Sequence, residues 1–152
     1  MNKTGIIITG QLGNRNKALA EHLEVRGFRT CLADNPKQLA ELLDTGNWKL
    51  VLIDYSLPGE GAQMCARHIR EYYAQSVAII MVMHSNRLAE RLRAWRWGAD
   101  AVLHNPLHIN EASLVAHQLS LRLLHENMPI QVSYRSAEAS PRAMTGASDY
   151  GH

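Results

Sequence analysis

Five short apolar runs recur along the chain, and each is followed by a stretch with helical periodicity. The runs are "GIIIT" (5–9), "RTCLA" (29–33), "LVLID" (50–54), "VAIIMVM" (77–83) and "AVLH" (101–104). Continuous apolar strands are typical of a sheet that is covered on both faces, and their alternation with helices favours parallel pairing. The pattern therefore predicts an α/β domain with a five-stranded parallel sheet and helices on both faces.

The five intervening stretches are expected to be helices at residues 14–26, 36–45, 62–74, 86–97 and 110–126. Asn14 is a candidate cap for the first helix, and Pro36 suits the first turn of the second. The spacing in the fourth helix predicts a core stripe of Leu88, Leu92 and Trp95.

Composition limits the kind of protein. With 152 residues, of which 46% are hydrophobic, the chain is long enough for one domain with a full core. The formal net charge of +2 gives little reason to expect a nucleic-acid surface. Cys31 and Cys65 lack CxxC spacing, which favours core positions in a reducing cytoplasm. The N-terminal isoleucines form too short a run to be a signal peptide or a membrane span.

The character of the sequence changes at Asn127. From there to His152 the chain is rich in Ser, Ala, Gly and Pro and has no periodicity. We expect a folded domain over residues 1–126 and a disordered tail or linker over residues 127–152.

Two motifs, "LVLIDYSLPGEG" and "WGADAVLHNPL", give the folded part a family resemblance. At this spacing and in this element order, residues 4–125 resemble the receiver domain of bacterial response regulators. The resemblance implies a flavodoxin-like, doubly wound sheet with strand order 2-1-3-4-5. It also places Asp54 where the family accepts a phosphoryl group from a histidine kinase.

The other pocket positions depart from the family pattern. Four features of the family pattern are replaced in this chain. They are an acid pair that holds Mg²⁺, a Ser or Thr that binds phosphoryl oxygens, a Lys before the proline and an aromatic residue that acts as a switch. The replacing residues are Thr9, Gly10 and Gln11 for the acid pair, His84 followed by Ser85 for the Ser or Thr, Asn105 for the Lys and Val102 for the aromatic.

These losses argue against conventional phosphorylation of Asp54. Phosphoryl transfer depends on positioning and charge stabilisation, and Mg²⁺ usually takes more than one carboxylate or phosphate oxygen. We therefore expect Asp54 to be a vestigial phosphoacceptor, with no metal and no cofactor. The histidines show no metal-ligand spacing. No nucleophile–base pair or glycine-rich phosphate loop predicts an enzyme.

A buried carboxylate without a cation needs another partner. His84 lies at the matching position one strand away, so we predict an Asp54–His84 hydrogen-bonded pair that takes the place of the metal. The alternative is that His84 turns outward. The Asp54 carboxylate would then accept hydrogen bonds from the backbone N–H groups of the loop that follows Asp54.

Two helices carry candidate contact residues. On the fourth helix Trp97 falls on the side opposite Leu88 and Leu92, near Arg93. We expect Trp97 to be exposed there, and exposed Trp and Arg together are favoured at protein interfaces. In the last helix Leu114 and Leu121 fall opposite the core face, with Leu124 partly alongside. In the receiver family the fourth helix, fifth strand and fifth helix form the usual partner surface, so we expect a homodimer or a protein partner there.

Three functions remain open from the sequence. The favoured one is an atypical cytoplasmic receiver that regulates a protein partner without standard phosphorylation. The second is the N-terminal receiver part of a DNA-binding transcriptional regulator, in which nucleic acid is bound only by an output domain outside this chain. The third is a phosphorylatable receiver with an altered pocket. No membrane association is expected.

Overall fold

The computed structural model describes residues 3–10 and 14–125. Its five strands are β1 (Thr4–Thr9), β2 (Phe28–Ala33), β3 (Leu50–Asp54), β4 (Ala78–Met83) and β5 (Ala101–His104). They form one sheet in the order β2-β1-β3-β4-β5, and every pairing is parallel. The predicted doubly wound, flavodoxin-like fold is confirmed.

The helices are α1 (Asn14–Val25), α2 (Pro36–Thr45), α3 (Gly61–Tyr72), α4 (Leu88–Arg96) and α5 (Ile109–Leu124). The Asn35 side chain caps α2 by accepting from the Gln38 backbone N–H at 2.9 Å, and Pro36 occupies the first turn as expected. The observed bounds differ from the predicted ones by one or two residues at several ends, which is ordinary fraying of helix termini.

The sheet is buried on both faces because successive side chains of each strand point alternately into two cores. Ile7, Val51 and Ile79 belong to the core beneath α2, α3 and α4, whereas the residues next to them in each strand belong to the core beneath α1 and α5. Since successive side chains of a strand point to opposite faces, a continuous apolar run fills both cores. This explains why the strands show no polar alternation.

Helix α4 departs from the prediction. Leu88 is 61% exposed and Leu92 is 42% exposed, so the predicted core stripe is wrong. Ala94 is the one fully buried residue of this helix, and Trp95 packs only partly against the core. The helix therefore rests on a narrow, small-residue face, and its large aliphatic side chains point to solvent.

The two cysteines also differ from each other. Cys65 is fully buried in α3, and this burial raises the pKa of its thiol to about 12. Cys31 of β2 is only half-buried, so the expectation of a core position is wrong for that residue.

The predicted tail of residues 127–152 lies outside the described residues. Within the described ranges, none of the helices has both the length and the apolar character needed to cross a membrane.

Candidate functional site

Four residues meet at the carboxyl edge of the sheet. Asp54 ends β3, and Gly10, His84 and Asn105 directly follow β1, β4 and β5. Backbone hydrogen bonds continue past the strand ends, because Tyr55 N–H donates to Val82 at 2.9 Å and Asn105 N–H to Met83 at 3.0 Å. The register therefore brings these four residues to the same face of the sheet.

The Asp54 carboxylate is buried, and three hydrogen bonds converge on one of its oxygens. Its Oδ1 accepts from the backbone N–H of Ser56 at 2.8 Å, from the Ser56 hydroxyl at 2.7 Å and from His84 Nε2 at 2.7 Å. The predicted Asp54–His84 pair is thus present, and the loop N–H of the alternative hypothesis contributes as well.

His84 links three strand ends through its two ring nitrogens. The Asn105 side-chain nitrogen lies 2.8 Å from His84 Nδ1. An amide nitrogen donates only, so in this arrangement Nδ1 accepts and the ring proton lies on Nε2, facing Asp54. The His84 side chain is 33% exposed. One imidazole thus connects the ends of β3, β4 and β5 at the rim of the sheet.

Gly10 makes room for this arrangement. A Cβ at residue 10 would lie 3.0 Å from Asp54 Cβ and 3.4 Å from Asp54 Oδ2. The buried Asn16 side chain of α1 donates to the Gly10 carbonyl at 3.2 Å and holds that carbonyl in place. Any side chain at residue 10 would push against Asp54.

The described residues do not fit a magnesium ion. Of the four residues at this edge only Asp54 has a carboxylate, and its Oδ1 already accepts three hydrogen bonds. His84 presents a nitrogen to Asp54 where Mg²⁺ prefers oxygen ligands. Among the described residues no group of three or more His, Cys, Asp or Glu side chains is placed to hold a metal ion.

The remaining predicted pocket residues do not contact Asp54. Thr9 is fully buried on the opposite face of β1, where its hydroxyl has no hydrogen-bond partner among the described residues. The Ser85 hydroxyl donates to the Glu90 carboxylate at the start of α4. Gln11 lies outside the described residues.

The candidate contact residues fall into two groups. Leu114, Leu121 and Leu124 are between 56% and 75% exposed on α5, as their spacing predicts. Trp97 is not an exposed side chain, so that expectation is wrong. Its ring is partly buried and stacks on Tyr55, with ring centroids 5.6 Å apart and an interplanar angle of 18°.

Sequence reasoning missed the role of Tyr55. Its hydroxyl accepts a hydrogen bond from Arg93 Nη1 at 2.9 Å, so two residues near the end of α4 hold its side chain. Beside this contact a groove of about 340 Å³ separates the start of α3 from α4, and its lining includes Tyr55, Gln63, Arg93 and Trp97. Nothing in the local sequence connects residue 55 with residues 93 and 97.

A buried ionic cluster at the opposite edge of the sheet was also missed. Asp100, whose side chain is 1% exposed, accepts from Arg70 at 2.7 Å and from Arg122 at 2.6 Å. It also accepts from the Ile79 backbone N–H at 2.8 Å. The cluster ties α3 and α5 to the sheet and has a structural role.

Comparison with known proteins gives one family. The family model of the response regulator receiver domain matches residues 14–117. Among curated proteins, the aerobic respiration control protein ArcA of Escherichia coli is 24% identical over 120 residues. That match covers 79% of this chain and 49% of ArcA, so the chain spans about half the length of this relative.

Solved structures give the same fold. The signal receiver domain of an HD domain-containing protein from Pseudomonas fluorescens Pf-5 superposes with a TM-score of 0.74 at 18% identity, over 81% of this chain and 98% of the other. The signal receiver domain of a DNA binding response regulator from Colwellia psychrerythraea 34H superposes with a TM-score of 0.70 at 19% identity, over 78% and 98%.

Proposed function

The chain belongs to the response regulator receiver domain family of two-component signalling, and we propose that it is an atypical member that regulates a protein partner without Mg²⁺-dependent phosphorylation of Asp54. The proposal places the protein in the cytoplasm and gives it no catalytic role. The observation that carries it is the hydrogen-bonded Asp54–His84 pair, with Nε2 and Oδ1 2.7 Å apart.

The geometry around Asp54 supports this proposal in two ways. The Ser56 donors and His84 Nε2 occupy Asp54 Oδ1 with three hydrogen bonds, so this oxygen is not free to coordinate a metal ion. A receiving site also needs positive charge around the transferred group. Asn105 carries none, and the residue at position 10 has no side chain.

The proposed partner surface is the face formed by α4, β5 and α5. Leu88 and Leu92 expose apolar area on α4, and Leu114, Leu121 and Leu124 do so on α5. Arg93, the other candidate on α4, donates to the Tyr55 hydroxyl and lines the groove towards α3. Exposed apolar area such as that of the five leucines is characteristic of protein interaction sites.

A second candidate is the receiver part of a DNA-binding transcriptional regulator. It is favoured by the half-length match to ArcA and by the likeness to the receiver of a DNA binding response regulator from Colwellia psychrerythraea. DNA contact would then belong to an output domain. Coding sequence for such a domain after residue 152 would favour this candidate.

Phosphorylation is tested by incubating the protein with Mg²⁺ and acetyl phosphate, followed by intact-mass measurement. We expect no mass increase. We also expect no Mg²⁺-dependent change in the NMR signals of the backbone amides when beryllofluoride is added. A conventional receiver treated in parallel shows that the reagents work. A stoichiometric phosphoryl adduct that disappears in the Asp54→Asn variant would instead establish the third possibility, a phosphorylatable receiver with an altered pocket.

A further inference from the structure

The loop that follows β3 is fixed to the Asp54 carboxylate. Both the backbone N–H and the hydroxyl of Ser56 donate to Asp54 Oδ1, at 2.8 Å and 2.7 Å. Leu57 N–H donates to the Asp54 carbonyl at 3.2 Å. Tyr55 lies between these residues, and its own N–H donates to the Val82 carbonyl at 2.9 Å, so the carboxylate fixes the loop on the Ser56 side of Tyr55.

The Tyr55 side chain connects this loop with the end of α4. Its ring stacks on Trp97, which directly follows the helix, and its hydroxyl accepts from Arg93, one turn earlier. Two different contacts to one helix end fix both the position of the ring and the direction of its hydroxyl.

Apart from Tyr55, helix α4 is held by a small buried face, by partial packing of Trp95 and by the hydrogen bond from Ser85 to Glu90. Ala94 is its one fully buried side chain, and Leu88 and Leu92 are exposed. A helix that buries so little apolar area gains little free energy from packing against the sheet. A contact at one end therefore contributes a large part of the free energy that holds the helix in its position.

We propose that Tyr55, Arg93 and Trp97 form a latch through which the hydrogen bonding of Asp54 sets the position of α4. Any event that changes the bonds at Asp54 Oδ1 moves the 54–56 turn, and Tyr55 transmits that movement to the helix. The inference does not depend on whether Asp54 is phosphorylated, because loss of the His84 contact acts through the same oxygen.

The latch is tested by NMR of the whole chain, using the indole N–H signals of its three tryptophans. Asp54→Asn keeps the shape of the side chain but weakens the hydrogen bonds that a charged acceptor makes. We expect this variant to shift the Trp97 indole signal more than that of Trp48, which lies at the opposite edge of the sheet. The Arg93 side-chain N–H signals should shift with Trp97.

The decisive comparison repeats Asp54→Asn in a Tyr55→Leu background, which removes both contacts of the latch. The proposal requires that the effect of Asp54→Asn on Trp97 is lost there. It is overturned if Trp97 does not shift in the single variant, or if the shift persists without Tyr55. If the leucine variant fails to fold, Tyr55→Phe keeps the stack and removes only the bond to Arg93, so the proposal then requires that Asp54→Asn still shifts the Trp97 signal and no longer shifts the Arg93 side-chain signals.

Discussion

At the scale of single residues, Asp54 and His84 form a pair whose strength can be measured. The Asp54 side chain is 6% exposed and that of His84 is 33% exposed, so solvent weakens the interaction without removing it. In a double-mutant cycle with Asp54→Asn and His84→Gln, we expect a coupling free energy of about 1 kcal/mol. Urea unfolding of the four proteins measures it.

The control is a second cycle in which a histidine outside the site is substituted and His84 is left unchanged. His22 is exposed on α1, so Asp54→Asn and His22→Gln should have additive effects on the free energy of unfolding. Additivity of the Asp54 and His84 substitutions as well would contradict the pair.

The two thiols provide a pH-dependent prediction. Burial raises the pKa of Cys65 from 9.0 to about 12, so the folded state holds this proton more tightly than the unfolded state. The resulting stabilisation is complete below about pH 9 and is lost as the pH rises towards 12. At pH 9 we therefore expect Cys65 to resist alkylation in the folded protein and Cys31 to react.

Mass spectrometry of the alkylated protein separates the two cysteines, and the Cys31→Ser variant isolates Cys65. In that variant, labelling should begin only when urea unfolds the chain. Rapid labelling of the folded variant would show that Cys65 is accessible or ionised.

The strand-end residues were predictable, but the partner of Trp97 was not. Asp54 and His84 each follow a continuous apolar run, so strand parity alone places them on one face. The pairing of Trp97 with Tyr55 joins residues 42 positions apart through a loop whose path no local pattern encodes.

At the scale of elements, α4 shows why helical spacing can mislead. Leu88 and Leu92 are four residues apart and therefore share one side of the helix, but spacing does not say which side faces the sheet. Ala94 faces it in this protein, because a helix can approach a sheet closely through a small residue. The same reasoning succeeded in α5, where the buried residues share one side of the helix and Leu114 and Leu121 lie on the other.

The ionic cluster around Asp100 is expected to stabilise the attachment of α3 and α5. Asp100→Ala leaves two arginines facing each other without their carboxylate, so we expect a loss of about 3 kcal/mol in the free energy of unfolding. Arg122→Ala should cost less, about 1 kcal/mol, because Arg70 remains bound to Asp100.

Chemical denaturation measures both effects. Arg67→Ala, at an exposed position of α3, is the matched control and should change stability by less than about 0.5 kcal/mol. An Asp100→Ala protein as stable as this control would contradict a stabilising role for the cluster.

At the scale of the whole molecule, the proposed partner surface predicts self-association or capture of another protein. For a homodimer, light scattering at micromolar concentration gives twice the 17.0 kDa of one chain. Leu92→Glu combined with Leu121→Glu should return the protein to a monomer, because each substitution places a charge in a desolvated contact.

Met64 is the control for this substitution, since it is 52% exposed on α3, away from the proposed surface. Met64→Glu should leave the oligomeric state unchanged. A wild-type monomer that binds no protein would count against the partner surface while leaving the fold and the Asp54 site as described.

The architecture as a whole was predictable because five apolar runs and five amphipathic stretches permit few arrangements. The sequence did not predict how the elements are held to one another. The contacts that it left open are the Asp100 cluster, the contacts of Tyr55 and the small buried face of α4. Each of these depends on side chains that are distant in sequence and close only in the folded protein.

The hydrogen bonds that run from Asp54 through His84 to Asn105 have a mechanical consequence. In a parallel sheet the backbone ladder holds neighbouring strands in register and ends where the strands end. Here side chains add one more rung beyond the last backbone bonds, across β3, β4 and β5. Sliding any one of these strands past its neighbour would break these side-chain bonds as well as the backbone ladder, so they add resistance to shear where the chain turns into its loops.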